Sequence, residues 1–219
     1  KALTLAFLLT LFGSSQSLAE YGFSVGITGS MAMIEASGQE TEGGEVSRGE
    51  VSNNVGVASF FVEYNDILGS GISLGVDYIP GSADVSSSIS QRTDANSEGD
   101  SATNKAQAEI DGHTTYYATY GVGDGAYLKV GYVEADLNTL ETLGTGSKYG
   151  NETVNGWELG AGVEFDAYMG SVGRLELTHI DYGDIEFRSS VARAGVATNN
   201  LIEADLDVTR LSASLGYKF

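Results

Sequence analysis

Three kinds of residue are missing or scarce in this sequence. It has no cysteine, a single proline (Pro80), and 11 lysines and arginines against 30 aspartates and glutamates. The lack of cysteine means that an exported protein of this size is stabilised by backbone pairing and packing rather than by disulfides. The excess of acidic residues makes a nucleic acid partner unfavourable, so we expect none.

Glycine and tyrosine are abundant instead, with 30 and 12 residues. This mixture favours many short strands joined by glycine turns, within one all-β domain. The first nineteen residues combine basic Lys1, an apolar run over 2–12 that is too short to span a bilayer, and the small residues Ser17 and Ala19. We therefore expect 1–19 to be a cleaved signal peptide and 20–219 to be the exported domain, with a formal charge of −20 from 10 basic and 30 acidic residues.

Beyond residue 19 no segment approaches the apolar length of a membrane-spanning helix, so the exported domain is either soluble or crosses a membrane as a barrel. Eight segments alternate apolar with small or polar residues, as strands with one apolar face do. They cover about residues 21–34, 55–65, 72–78, 108–122, 128–132, 156–165, 173–187 and 210–219. Short and long polar links alternate between them, which is typical of outer-membrane barrels.

Two of the predicted strands carry specific expectations. The seventh begins with Leu175 and Leu177 facing outward, but Ile180 and Tyr182 fall on the opposite parity, so we expect a β-bulge near His179 to restore the outward face. The eighth, "RLSASLGYKF", alternates strictly to the last residue. It is predicted to pair with the first strand and so remove both sheet edges.

The alternation alone also fits a soluble eight-stranded barrel such as a lipocalin, whose apolar face points inward. Charge favours the membrane form, because the apolar faces of the third, sixth and eighth strands carry no central charge, and a charge facing lipid there costs roughly 2–4 kcal/mol. The charges on the opposite faces are expected to form a polar network in the lumen, with Glu176 and Arg210 as an ion pair. The expected network residues are Glu63, Asp77, Lys129, Glu158, Glu164, Glu176 and Arg210. The predicted fold is an all-β, eight-stranded antiparallel up-and-down transmembrane β-barrel with short periplasmic turns and four longer extracellular loops.

Three stretches, "GWELGAGVEF", "RLELTHIDYGD" and "LSASLGYKF", resemble the small outer-membrane β-barrel family of OmpA-like and opacity-type surface proteins. The specific resemblance covers about residues 156–219. It implies that Phe219, with Leu211, Leu215 and Tyr217 before it, is the signal read by the barrel-assembly machinery. It also implies an integral position in the outer membrane, among its lipids and lipopolysaccharide.

Few residues indicate chemistry. Asp94, Asn96, Glu98 and Asp100 match the first half of an EF-hand calcium loop, but Lys105 stands where that loop needs a bidentate glutamate, so they are a weak calcium candidate and a solvated loop is favoured. The two histidines, His113 and His179, show no triad spacing with a serine and an acid. We expect no catalytic residue, no cofactor and no other metal site.

The sequence thus predicts a non-enzymatic outer-membrane protein with a structural and surface-interaction role, in which acidic polar loops meet an extracellular ligand. Two alternatives stay open. One is a narrow small-solute porin. Eight strands leave an interior filled by side chains, but the many inward glycines permit a narrow water path. The other is an outer-membrane lipid-modifying enzyme that would use a histidine.

Overall fold

Antiparallel strands make up nearly all of the secondary structure. The computed structural model describes residues 22–86, 90–95, 101–143, 147–192 and 197–219. The strands are β1 (Phe23–Glu42), β2 (Glu45–Tyr64), β3 (Ile72–Tyr78), β4 (Ala83–Asp84), β5 (Ser90–Ala95), β6 (Ser101–Ala106), β7 (Ala108–Gly123), β8 (Ala126–Thr139), β9 (Glu152–Asp166), β10 (Ser171–Asp181), β11 (Ile185–Arg188) and β12 (Leu201–Lys218). Single 3-10 turns lie at Ile67–Gly69 and Tyr168–Gly170, and no helix within the described ranges is long and apolar enough to cross a membrane.

Eight of these strands form a closed ring in the order β1, β2, β3, β7, β8, β9, β10, β12. The ring closes because β12 pairs with β1 from Ser24 opposite Lys218 to Thr41 opposite Leu201. β4 continues the line of β3 along β7, β11 pairs with the far end of β12, and β5 and β6 form a separate hairpin. The predicted eight-stranded antiparallel barrel is confirmed.

Alternate side chains of the ring point outward and form an apolar band. The large apolar side chains of this band that are more than half exposed include Ile27, Met31, Phe60, Leu74, Leu128, Leu159, Leu177, Leu211 and Leu215. Aromatic pairs lie at its two borders, with ring centroids 5.0 Å apart for Phe23 and Tyr64 and 5.8 Å apart for Tyr132 and Trp157. An apolar outer face between aromatic girdles is the surface that meets acyl chains in a membrane barrel.

The apolar band ends where three acidic residues adjoin. Glu35 of β1 lies opposite Asp207 of β12, which lies opposite Asp181 of β10. Like charges directly across a ladder are destabilising unless water screens them, and carboxylates facing lipid are costly. This level therefore marks the start of the extracellular, water-exposed part of the barrel.

The interior is divided into two halves. The lower lumen, on the side of the short turns, is polar and charged, whereas the upper lumen, on the extracellular side, holds an apolar cluster. That cluster comprises Ala32, Ile34, Val85, Ile110, Val133, Ala135, Leu137, Val154, Ile180, Tyr182, Ile185, Phe187, Leu206 and Val208. The bulge predicted near His179 was wrong: β10 pairs with both neighbours in continuous register, and Ile180 and Tyr182 point into this apolar half.

Residues 36–53, which lie in the polar link predicted between the first two strands, are largely regular β-structure. β1 and β2 stay paired up to Glu42 and Glu45 and turn through Gly43 and Gly44, both with positive φ. Together with the far ends of β12 and β11, they form a four-stranded sheet that rises above the band. We call this sheet the extracellular extension; it comprises residues 35–42, 45–52, 185–188 and 201–207.

Candidate functional site

Polar side chains from seven of the eight ring strands converge in the lower lumen, and β1 contributes small residues beside them. The large members are Glu63, Asp77, Tyr117, Tyr127, Lys129, Glu158, Glu164, Arg174, Glu176, Arg210 and Lys218. This set, the lumen network, contains every network residue expected from the sequence. It has two parts, built around Arg174 and around Glu158.

Arg174 is the centre of the part closest to the short turns. Its Nη1 and Nη2 donate to the two carboxylate oxygens of Glu63 at 2.9 and 2.6 Å, and its Nε donates to Glu164 Oε2 at 2.9 Å. Lys218 also donates to Glu164. The guanidinium carbon of Arg174 lies 5.2 Å from the ring centroid of Phe61. Arg174 thus links β2, β9 and β10 across the lumen, with planar bidentate geometry that a lysine cannot reproduce.

Glu158 is the centre of the second part. Lys129 Nζ lies 2.8 Å from carboxylate oxygens of both Glu158 and Glu176, and Arg210 Nη2 donates to Glu158 at 2.7 Å. Arg210 Nη1 also lies 3.7 Å from Asp77. The expected pair of Glu176 with Arg210 was wrong. The two side chains are offset by two residues in the β10–β12 register, and each reaches a partner across the lumen instead.

Aromatic rings fill the space beside the inward glycines. Cβ atoms added at Gly26, Gly75 and Gly162 would collide with the rings of Phe61, Tyr117 and Tyr127, respectively. A cavity among these side chains in the lower lumen has a volume of about 20 Å³, which is room for about one water molecule. The inward glycines therefore seat aromatic side chains inside the lumen.

The extracellular mouth is covered by a polar cap. The segments at 147–150 and 189–192 are joined by the bond from Ser190 N to Lys148 O (2.7 Å), and Tyr149 Oη donates to Glu40 Oε1 at 3.0 Å. Asn200 Nδ2 donates to the same oxygen at 3.0 Å. Burial and the Glu40 carboxylate both raise the pKa of Tyr149, so this hydroxyl stays protonated as a donor at neutral pH.

The outer face of the extracellular extension is acidic and concave. A groove of about 790 Å³ crosses its four strands. The charged side chains lining it are Arg48, Glu50, Asp184, Glu186, Glu203 and Asp205. The imbalance continues over the described residues of the extracellular side. Ranges 35–53, 81–86, 90–95, 101–113, 134–143, 147–156, 181–192 and 197–208 hold 19 acidic and five basic residues, a formal charge of −14.

The histidines occupy unrelated positions. His113 is buried in the lumen, with its ring centroid 6.3 Å from that of Tyr182. His179 points outward at the upper edge of the apolar band, with Nδ1 3.1 Å from Thr209 Oγ1 and Nε2 3.6 Å from Asp207. Neither has the buried serine and orienting acid of a hydrolase among the described residues.

The structure describes only some of the remaining predicted site residues. Asn96, Glu98 and Asp100 of the weak calcium candidate lie outside the described residues, and Asp94 lies in β5. Within the described ranges, no group of three or more metal-ligating side chains is present. Leu211, Leu215 and Tyr217 of the expected assembly signal face outward on β12, and Phe219 N donates to Phe23 O at 2.9 Å.

Arg174 was missed by the sequence reasoning. It lies two residues before Glu176 and therefore faces inward by the same alternation, so the sequence could have predicted its place in the lumen. The predicted strand was assigned faces only from Leu175 onward. Tyr127 was missed for a similar reason, because it lies one residue before the first outward position considered in β8. Its Oη donates to Glu176 Oε2 at 3.0 Å.

Comparison with known proteins adds evidence on the fold. No family model matches the chain, and no curated protein matches it. Among solved structures, the outer-membrane protease OmpT from Escherichia coli is 12% identical over 90% of this chain and 97% of its own, with a TM-score of 0.51. Neisserial surface protein A is 13% identical over 90% and 97%, with a TM-score of 0.43. At such low identity the likeness concerns the fold alone.

The closed ring, the outward apolar band and this likeness define the class. The chain has the fold of outer-membrane β-barrel proteins. A further similar structure is the N-terminal β-barrel domain of Pseudomonas aeruginosa OprF, which is 9% identical over 85% of this chain and 97% of that domain, with a TM-score of 0.38.

Proposed function

We propose that this protein is a closed, non-enzymatic outer-membrane barrel that acts at the cell surface, where its extracellular extension binds cationic ligands. The observation that carries the proposal is the acidic groove across the four strands of the extension. A rigid sheet presents these carboxylates in a fixed arrangement, so complementary charge speeds the encounter and orients the ligand. The same proposal includes two further predictions. Segment 1–19 directs export, and the assembly machinery recognises Phe219.

The first test measures binding of a cationic probe. The protein in nanodiscs of zwitterionic lipid is titrated with fluorescein-labelled decalysine at several salt concentrations. The triple variant Glu186→Gln, Glu203→Gln, Asp205→Asn is expected to bind at least fivefold more weakly and with a smaller salt dependence, because three groove carboxylates are removed.

The matched control removes three carboxylates from the opposite end of the barrel. Asp66→Asn, Asp124→Asn and Asp166→Asn lie at the short turns and change the net charge by the same amount. Binding by this control should stay within twofold of the unmodified protein. Equal losses in both triple variants would mean that net charge alone attracts the probe, and would refute the groove as the site.

The second test concerns the porin alternative. The lumen network, the aromatic rings over the glycines and the apolar upper lumen all support a barrel without a continuous water path. Planar bilayers containing the purified folded protein should therefore show no steady openings, as with a heat-unfolded sample of the same preparation. Regular openings whose conductance scales with salt concentration would refute the closed barrel.

The enzyme alternative receives no support from the histidines. His113 is buried beside Tyr182. His179 contacts the Thr209 hydroxyl and lies near Asp207, but its side chain is more than half exposed on the outer face at the lipid border. The proposed function therefore assigns no catalytic residue.

A further inference from the structure

The barrel wall has an unpaired seam in its upper half. Among the described residues, β2 pairs with β3 only from Phe60 to Tyr64, whereas the segment above Tyr78 pairs with β7 instead. Ile79 N donates to His113 O on β7, so the backbone nitrogen of the next residue faces β2, and that residue is Pro80, which has no N–H to donate. The only proline of the chain thus keeps the seam open.

The seam is framed above and below. Its lower border is the backbone pair of Phe60 with Tyr78, and at its upper border Asn53 Nδ2 donates to Asp84 O at 2.9 Å. Val55 and Val57 of β2 face the lumen between these borders, yet both are only partly buried. The seam lies beside the upper part of the apolar band, at the height of the outer lipid leaflet.

An apolar cavity lies directly behind the seam. Its volume is about 40 Å³. Val55 and Val57 line it on one side of the seam and Ile79, Gly81 and Ala83 on the other, with residues of the upper-lumen cluster behind them. The lining is therefore hydrocarbon except for its floor.

The polar part of the lining, which we call the floor, consists of three buried side chains that each carry one atom without a hydrogen-bond partner. His113, Tyr182 and Arg210 all line the cavity and are each more than nine-tenths buried. Within the part of the chain that the structure describes, His113 Nδ1, Tyr182 Oη and Arg210 Nε make no hydrogen bond. Buried polar atoms are nearly always satisfied, and leaving them unpaired is destabilising, so a polar atom bound at the floor would remove that cost.

We propose that this cavity binds a small neutral amphiphile, an aliphatic alcohol, that enters through the seam. Its oxygen accepts from Arg210 Nε and hydrogen-bonds to Tyr182 Oη, and its chain lies along the valine and isoleucine walls and out through the seam toward lipid. The head group is neutral because the lumen network below already holds five carboxylates against four cations, and a carboxylate would add a further buried negative charge.

The test uses a diazirine-bearing octanol as a photoprobe on the full protein in phosphatidylcholine nanodiscs. After irradiation, adducts are mapped by peptide mass spectrometry. They are expected on the peptides that contain Val55 to Val57 and Ile79 to Ala83. Unlabelled 1-octanol should suppress them at a concentration at least tenfold lower than octane or octanoate needs.

Two variants separate the cavity from the lipid surface. Val57→Phe fills the cavity and should reduce the adducts on these two peptides at least fivefold. Val163→Phe makes the same change on the outward face of β9 and should leave these adducts unchanged. Tyr182→Phe removes an unpartnered hydroxyl without breaking a hydrogen bond, and should reduce the preference for octanol over octane. Heat-modifiable gel migration checks that each variant is folded.

Three outcomes would overturn the proposal. Adducts confined to outward residues and insensitive to Val57→Phe would mean that the cavity holds water only. Octane competing as well as octanol would remove the role of the polar floor. Octanoate competing better than octanol would contradict the neutral head group.

Discussion

Arg174→Met is expected to lower the free energy of unfolding by about 3–5 kcal/mol, the range found when one partner of a buried ion pair is removed. The guanidinium makes both hydrogen bonds to Glu63 and one to Glu164. Glu164 would keep Lys218, but Glu63, which is 2% exposed, would lose its bidentate partner and remain as a buried charge. Urea titration of the protein folded in lipid vesicles measures the change.

Arg188→Met is the matched control for this prediction. Arg188 Nη2 lies 2.7 Å from Glu186, and both side chains are more than half exposed, so the pair is worth about 0–1 kcal/mol. The same substitution should therefore leave stability nearly unchanged in the extracellular extension. A similar small effect of both substitutions would mean that Glu63 finds water or another donor, and that the lumen network does not brace the barrel.

Gly162→Val is expected to prevent stable folding, with a loss of at least about 3 kcal/mol from overpacking and from the lost bond of Tyr127. A Cβ at this position would lie 2.5 Å from Tyr127 Oη and 2.8 Å from the carbonyl oxygen of Leu175, closer than real Cβ contacts occur. The ring would have to leave the hydrogen bond to Glu176. Heat-modifiable gel migration after refolding into vesicles reports the folded fraction.

Gly29→Val provides the comparison, because Gly29 is on the outward face and nothing lies within 4 Å of its added Cβ. Its stability should change by no more than about 0.5 kcal/mol. The double variant Gly162→Val, Tyr127→Ala should recover part of the loss by vacating the collision. Normal refolding of Gly162→Val alone would show that the lumen has more free space than the 20 Å³ of its lower cavity.

The membrane-facing half of this fold was readable from the sequence because lipid imposes a strict period of two on outward side chains. Leu211, Leu215 and Tyr217 alternate outward where the pattern predicted. The hairpin of the extracellular extension was not readable, since both faces of residues 45–52 meet water and no apolar alternation marks residues 36–53. Only the pair Gly43 and Gly44 signalled a tight hairpin there.

The sequence predicted which charged residues face the lumen, but not which of them form ion pairs. Inward parity identified Glu63, Glu158 and Arg210, yet which cation meets which carboxylate depends on reach across the barrel, which strand-by-strand reading does not contain. The expectation that Ile180 and Tyr182 face lipid was wrong, because both lie in the upper lumen. The β-bulge near His179 was predicted in order to turn Ile180 and Tyr182 toward lipid. The upper lumen provides a second apolar environment, inside the barrel, that needs no bulge.

The ladder between β1 and β12 has a consequence for folding kinetics. It is among the longest in the barrel, and it joins segments separated by nearly the whole described chain. Pairings so distant in sequence are slow to form, because the intervening chain must first be brought together. Until β12 arrives, one entire edge of β1 offers unpaired backbone to any neighbouring strand. The step most exposed to aggregation is therefore the last one, the meeting of the two ends.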